Sequence, residues 1–241
     1  MAVRPALLLL LALATGSSAA AGTPYPPAPV SAGTSAADSV RSHVLYVHGW
    51  IVQDRQEARP EHPRFGTYDL PAILAVFRRH GDVVTGEIRP RDATVDAAAD
   101  RLTAQVRELL AAGVPPQRVA VVGASMGAAI TLLAAARVGN PDVRYVVLGT
   151  CVAARYGRIR RREGRPPTGR ILAIREASDT VVRDCPAWDQ ATSEPAAGTV
   201  HEIVLHTGLD HGFLYRPLPA WVEPALTWIE DAGKEAAAPG T

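Results

Sequence analysis

Ser125 is the residue of this sequence whose surroundings most favour nucleophilic chemistry. Glycine lies two residues away on either side of it, at Gly123 and Gly127. A valine-rich run at 119–122 predicts a buried strand before it, and helix-forming residues follow at 128–137. A serine on such a sharp strand-to-helix turn needs small neighbours, because another part of the chain passes close to the turn. The segment therefore has the pattern of a nucleophile elbow.

An acid that could orient a catalytic base follows a later strand. A serine hydroxyl becomes a good nucleophile only when a base removes its proton, and that base needs an orienting acid. Residues 171–175 predict a strand, and Asp179 lies on the loop after it. We predict Asp179 as the orienting acid, with capping of a turn as its alternative role. Glu176, Asp184 and Asp189 are the competing carboxylates.

Two histidines follow the last predicted strand, at 200–205. His206 comes at the end of that strand, whereas His211 lies in the loop beyond it, from which an imidazole can reach back over the sheet. We predict His211 as the base and a packed or hydrogen-bonded structural role for His206. A shared metal site with His201 and Asp210 is not expected, because His201 and His206 point to opposite faces of the strand.

The end of the first predicted strand, at 43–47, supplies a candidate oxyanion site. His48 and Gly49 follow this strand directly, although an ordinary turn is their alternative role. A tetrahedral oxyanion needs two preorganised N–H donors. We predict the backbone N–H of Met126, directly after the serine, and that of Trp50, directly after the His-Gly pair.

The elements that must position these residues alternate between strand and helix. Such alternation, with short apolar strands, predicts an α/β fold with a mostly parallel central sheet of about six strands or more and helices on both faces. Strands are predicted at 43–47, 82–88, 119–122, 144–148, 171–175 and 200–205, and helices at 71–80, 94–112, 128–137 and 218–231.

In its order of motifs, the sequence resembles serine esterases and lipases of the α/β-hydrolase fold. Ser125, Asp179 and His211 occur in the chain order of that family, and the resemblance extends over about residues 43–230. It implies an acyl-enzyme mechanism that needs no cofactor and no metal. The sequence lacks the extended Gly-Gly of some esterase oxyanion loops. It also lacks a clear counterpart of the two extra N-terminal strands of the family.

Length and composition are those of one globular domain. The chain has 241 residues, of which 47% are hydrophobic and 20% charged, and its formal net charge is +1. This balance gives no indication of nucleic-acid binding or of attraction to an acidic membrane. Nearly all basic residues are arginine, with Lys234 as the one lysine, so a single arginine carries little functional information.

The N-terminal residues 1–21 have the pattern of a secretory signal peptide. Arg4 precedes a short apolar stretch and a run of small residues, and the apolar part is too short for a stable membrane span. We therefore expect export to the periplasm or the extracellular space, with an uncleaved anchor as the alternative. A Pro/Ala/Ser-rich linker at 22–42, a hydrolase domain at 43–232 and a disordered tail at 233–241 complete the predicted organisation.

The two cysteines are candidates for a disulfide. Cys151 follows the predicted strand 144–148, and Cys185 lies ten residues beyond the strand 171–175. If these strands are neighbours, both cysteines lie near the same end of the sheet. Export to an oxidising compartment favours a disulfide between them, and two free buried thiols are the alternative.

Two segments of the sequence could shape specificity. The polar segment 51–68 follows the candidate oxyanion loop and could form a pocket rim. Residues 155–170 contain seven arginines, including Arg160, Arg161 and Arg162, where the resembled family often carries a lid. This segment is either a recognition site for an anionic group or a solvated loop. No long apolar insertion is present, which favours a small or soluble substrate.

The sequence thus predicts an exported serine hydrolase that cleaves carboxylic esters of small molecules. The fold hosts many chemistries, so thioesters, lactones and peptides are alternative substrates. A non-catalytic binding protein with the same fold is the contrasting hypothesis.

Overall fold

The computed structural model describes residues 41–188 and 198–230. Its centre is a sheet of six parallel strands in the order β4-β1-β5-β6-β7-β8, and β2 and β3 form a separate antiparallel pair. The strands are β1 His43–Val47, β2 Glu61–His62, β3 Gly66–Thr67, β4 Val83–Thr85, β5 Val119–Ala124, β6 Arg144–Leu148, β7 Gly169–Glu176 and β8 Gly198–Leu205. The predicted parallel α/β sheet is confirmed.

Helices connect the strands and cover both faces of the sheet, as predicted. The helices are α1 Trp50–Arg55, α2 Leu70–His80, α3 Val95–Ala111, α4 Met126–Val138, α5 Val152–Glu163 and α6 Pro219–Glu230. Side chains cap two of them: Asp69 accepts a hydrogen bond from the Ala72 amide before α2, and Thr94 accepts one from the Ala97 amide before α3. These bonds satisfy amides that the first turn of a helix leaves without a partner.

The sheet separates two apolar cores. Leu45 and Val47 of β1 pack with residues of α3, α4 and α5, whereas Val44 and Tyr46 pack on the other side with residues of α2 and α6. Successive side chains of a strand point to opposite faces, so an unbroken apolar strand serves both cores. The strands therefore lie in a rigid layer whose carboxyl ends form one edge.

Two local predictions differ from the structure. The arginine-rich segment is not a loop, because its first part forms α5, where Val152, Tyr156 and Ile159 are buried at helical spacing. The high density of arginine hides this apolar stripe in the sequence. The strand expected at 82–88 is reduced to β4, which within residues 41–188 and 198–230 pairs with β1 alone, at the edge of the sheet.

Some sequence predictions fall outside the described residues. The signal peptide at 1–21, nearly all of the linker at 22–42 and the tail at 233–241 belong to this group. Within the part of the chain that the structure describes, no helix is long and apolar enough to cross a membrane.

A disulfide joins Cys151 and Cys185, whose Cα atoms lie 5.5 Å apart. Cys151 directly precedes α5, and Cys185 lies on the segment that follows β7. The bond therefore ties together the chain after two neighbouring strands, as the sequence predicts.

Removing this disulfide should destabilise the fold. A cross-link over 34 residues restricts the unfolded chain, and its loss should lower the free energy of unfolding by up to about 4 kcal/mol. Urea unfolding with and without reductant measures the difference. The chain contains two cysteines, so reductant has no other cysteine to act on. Equal unfolding midpoints in the two conditions would contradict the stabilising role.

Candidate active site

Ser125 lies in a strained turn between β5 and α4. Its φ is 54°, a value that residues other than glycine rarely adopt. The amide of Ser125 donates a hydrogen bond to the carbonyl of Leu148 at 2.8 Å, and the Ser125 carbonyl accepts one from Ala128 in the first turn of α4. The turn is thus held on both sides, and strain of this kind is concentrated at functional sites.

The glycines around Ser125 allow a close approach of backbone segments. A Cβ atom on Gly127 would lie 1.9 Å from the Val47 carbonyl oxygen at the end of β1. One on Gly123 would lie 2.3 Å from the Thr131 hydroxyl. Gly49 differs, because a Cβ there would make ordinary contacts at 3.6 Å or more. Glycine is therefore required sterically at positions 123 and 127.

The structure brings Ser125, His211 and Asp179 into one hydrogen-bonded row. The Ser125 hydroxyl lies 2.9 Å from His211 Nε2, and His211 Nδ1 lies 2.7 Å from Asp179 Oδ2. Both Asp179 and His211 are buried. The second oxygen of Asp179 accepts hydrogen bonds from the amides of Val181 and Val182 at 2.8 and 3.0 Å. An imidazole so placed can accept the serine proton while the carboxylate fixes its orientation.

The other candidates for acid and base lie elsewhere. Glu176 is buried and bonded to its own loop and to Thr207, whereas Asp184 is exposed. Asp189 lies outside the described residues. His206 is exposed, so the packed role predicted for it is wrong, whereas the hydrogen-bonded alternative stays a prediction. A group of three or more residues that could hold a metal is absent from the described ranges.

The two predicted oxyanion donors begin helices beside Ser125. Met126 is the first residue of α4 and Trp50 the first residue of α1, positions whose amides have no partner within the helix. Trp50 and Ser125 line the same cleft, and Trp50 is 59% exposed. Both amides are therefore in elements that border the serine.

The cleft at Ser125 has a volume of about 460 Å³. The predicted rim segment 51–68 supplies much of its wall through α1 and the β2–β3 pair. Phe65 packs 6.0 Å from the His211 ring and 5.5 Å from Tyr215, ring centre to ring centre. The wall beside the imidazole is thus aromatic.

Sequence reasoning missed three residues that touch this arrangement. Gly149 has a φ of 59°, and a Cβ there would lie 3.1 Å from the His211 ring. Phe65 and Tyr215 line the cleft. Gly149 directly follows β6, a signal that was available in the sequence. Phe65 falls in the predicted rim segment 51–68, whereas nothing local indicated Tyr215.

A second cavity, of about 510 Å³, lies between β1 and α3. It is bordered by Leu45, Val47, Ala98 and the ion pair of Glu87 with Arg101. Ser125 and His211 do not line it. We therefore place the candidate active site in the smaller cleft.

His48 is buried behind the oxyanion loop in a neutral state. Its Nε2 accepts a hydrogen bond from the Arg89 amide at 3.0 Å, so its Nδ1 carries the proton and donates to the Gly49 carbonyl at 2.8 Å. Burial and the nearby Arg89 charge lower the pKa of His48 to about 3. The Arg89 guanidinium also donates to the His48 carbonyl at 2.8 Å. These bonds fix the loop that leads to Trp50.

The arginines proposed to bind an anionic group lie at the end of α5. All three are exposed to solvent, and Arg162 pairs with Asp96 and contacts Glu163. None of the three lines the cleft at Ser125. An anionic partner for this helix stays a prediction.

His48 should make the folded protein sensitive to mild acid. Because its pKa falls from 6.5 to about 3 on folding, the unfolded chain binds a proton between these values that the folded chain does not. Between pH 7 and pH 5 the loss is about 2 kcal/mol of the free energy of unfolding. Chemical denaturation at both pH values should show a smaller loss for His48→Gln.

The matched control replaces the exposed histidine at the other side of the site. His206→Gln should retain the pH dependence of the wild type. An unchanged pH dependence in His48→Gln would contradict the role of the buried imidazole.

Comparison with known proteins identifies the fold. No protein-family model and no curated protein matches the sequence. Among solved structures, the chain is similar to a protein of unknown function from Agrobacterium tumefaciens, provisionally classed as an alpha/beta hydrolase. The two are 13% identical, the match covers 83% of this chain and 90% of that one, and the TM-score is 0.53. A variant of SOBER1 from Arabidopsis thaliana matches at 14% identity over 79% and 99% of the chains, with a TM-score of 0.50. The chain therefore has the α/β-hydrolase fold.

Proposed function

We propose that this protein is an exported serine hydrolase that cleaves carboxylic esters through an acyl-enzyme intermediate. The observation that carries the proposal is the row of Ser125, His211 and Asp179, with distances of 2.9 and 2.7 Å, at the wall of an open cleft. Three side chains from three separate loops meet in the geometry that acyl transfer requires.

In this proposal each residue has one role. The Ser125 oxygen attacks the ester carbonyl while His211 Nε2 takes the hydroxyl proton, and the same imidazole then protonates the leaving alcohol. Asp179 holds the imidazole in the required tautomer and stabilises its charged form. In the second half of the reaction His211 activates water, which releases the acid and restores the serine.

The oxyanion of each tetrahedral intermediate needs donors that are already in place. The amides of Met126 and Trp50 are the proposed donors, supported by their positions at the starts of α4 and α1 beside Ser125. Each such donor contributes about 3 kcal/mol to lowering the barrier. Arg89 and His48 support the proposal, because their hydrogen bonds hold the backbone that presents Trp50.

The cleft supports a small ester as substrate. The aromatic and aliphatic part of its wall, which includes Phe65, Tyr215 and Leu214, suits an apolar acyl or alcohol group. Thioesters, lactones and peptides are alternative substrates of the same machinery. Export is supported by the disulfide between Cys151 and Cys185, since such bonds persist in oxidising compartments.

Replacement of the nucleophile tests the proposal directly. Purified wild-type protein should hydrolyse p-nitrophenyl acetate and be labelled on Ser125 by a fluorophosphonate. Ser125→Ala should lose labelling, and its kcat should fall by at least about 10³-fold because no other group can form the acyl-enzyme. Ser42→Ala, directly before β1 and at the opposite end of that strand from the site, is the matched control and should label normally.

Absence of labelling in well-folded wild-type protein would overturn the hydrolase assignment and favour a binding protein with the same fold. Unchanged ester turnover by Ser125→Ala would instead overturn the choice of nucleophile.

The orienting acid can be tested against its neighbour on the same loop. Asp179→Asn should lower kcat by roughly 10⁴-fold, because an amide favours the wrong imidazole tautomer. Asp184→Asn makes the same chemical change at an exposed position and should leave kcat within a factor of two. Steady-state kinetics on the two variants decides between them, and equal losses would contradict the assignment of Asp179.

A further inference from the structure

Glu176 is a buried carboxylate that the reaction proposed above does not use. It is the last residue of β7, and its side chain accepts hydrogen bonds from two loops. One oxygen accepts from the amide and hydroxyl of Ser178 at 3.2 and 2.9 Å and from the Gly208 amide at 3.2 Å. The other accepts from the amide and hydroxyl of Thr207 at 2.9 and 2.7 Å.

These contacts begin where the sheet ends. The last paired residues of β7 and β8 are Glu176 and Leu205, and one further backbone bond, from the Ala177 amide to the Leu205 carbonyl, measures 2.8 Å. Beyond it the two chains separate into the loop with Asp179 and the loop with His211. The Glu176 side chain bridges the gap at the point of separation.

The bridge is electrostatically stable. Burial by itself opposes the charge of Glu176, but the hydrogen bonds from Thr207 and Ser178 outweigh this effect and lower its pKa to about 2. The carboxylate is therefore ionised at neutral pH. Hydrogen bonds to a charged acceptor are about twice as strong as neutral ones.

A second carboxylate reinforces the same connection nearer to the imidazole. Asp210 accepts hydrogen bonds from the amides of Thr180 and His211, both at 2.7 Å. The Asp210 amide in turn donates to the Ser178 hydroxyl at 3.1 Å, which itself donates to Glu176. The two loops are thus linked at both ends of the segment that carries Asp179.

We propose that Glu176 is a positioning residue, which holds the Asp179 loop against the His211 loop and so sets the hydrogen bond between those two side chains. This inference rests on the proposed function. In this inference Glu176, which does not take part in the reaction, controls how well His211 is oriented.

The substitution Glu176→Gln tests the proposal with little change in volume. Whichever way the amide is turned, its NH₂ group faces backbone N–H donors of Thr207 or of Ser178 and Gly208, so one side of the bridge opens. We expect kcat for p-nitrophenyl acetate to fall about 10- to 100-fold, with KM changed less than threefold. The deshielded proton on His211 Nδ1, observed by proton NMR at acidic pH, should shift or broaden.

A matched control separates positioning from a general loss of stability. Glu87 does not line the cleft, and its carboxylate pairs with Arg101 at an N–O distance of 2.6 Å. Glu87→Gln should leave kcat and the NMR signal as in the wild type. Thr207→Val removes one donor to Glu176 from an exposed position and serves if Glu176→Gln does not fold. It should lower kcat about two- to fivefold and shift the same signal.

The outcomes also distinguish this inference from the proposed function. Wild-type protein that neither labels with fluorophosphonate nor turns over ester would overturn the proposed function. The positioning role alone would be overturned if the wild type is active and a folded Glu176→Gln or Thr207→Val variant keeps the kcat and the imidazole signal of the wild type.

Discussion

Gly127 approaches the end of β1 so closely that a Cβ atom there would lie 1.9 Å from the Val47 carbonyl oxygen. This contact between the first turn of α4 and the neighbouring strand determines where Ser125 lies relative to the loop that begins with His48. The serine backbone is strained as a result, with a φ of 54°. Buried pairing of β5 with β1 and β6 supplies the stability that maintains this strain.

The same edge of the sheet collects all the other groups of the site. Parallel strands end on the same side, so the loops after β1, β5, β7 and β8 meet there without any long excursion of the chain. The register of strand pairing therefore decides which loop residues come into contact, whatever their separation in the sequence. Asp179 and His211 are 32 positions apart, yet their side chains lie 2.7 Å apart because β7 and β8 pair up to Glu176 and Leu205.

Buried polar groups give this edge its rigidity. Arg89 holds the carbonyl of His48 on one side of the serine, and Glu176 holds the two loops on the other. Each of these charged side chains makes hydrogen bonds to more than one residue, which offsets part of the cost of its burial. The disulfide at Cys185 adds a covalent restraint to the segment that carries Asp179. Ser125, His211 and Asp179 are thus supported from outside the cleft.

Local sequence was sufficient for the six strands of the sheet, for the helices α2, α3, α4 and α6, and for the chain order of Ser125, Asp179 and His211. Apolar runs, helix formers and the two glycines around Ser125 are encoded by neighbours in the chain, so the six strands and the strained turn could be predicted. The helix α5 was missed because its stripe of Val152, Tyr156 and Ile159 is interrupted by arginines. The long-range contacts could not be predicted from local sequence. Arg89, for example, donates a hydrogen bond to the His48 carbonyl although the two residues are 41 positions apart. The sequence favoured Asp179 over Glu176 as the partner of His211, and the pairing of β7 with β8 places Asp179 against the imidazole and Glu176 against the loops. The partner that each buried polar side chain finds depends on packing between distant segments of the chain, which no local pattern encodes.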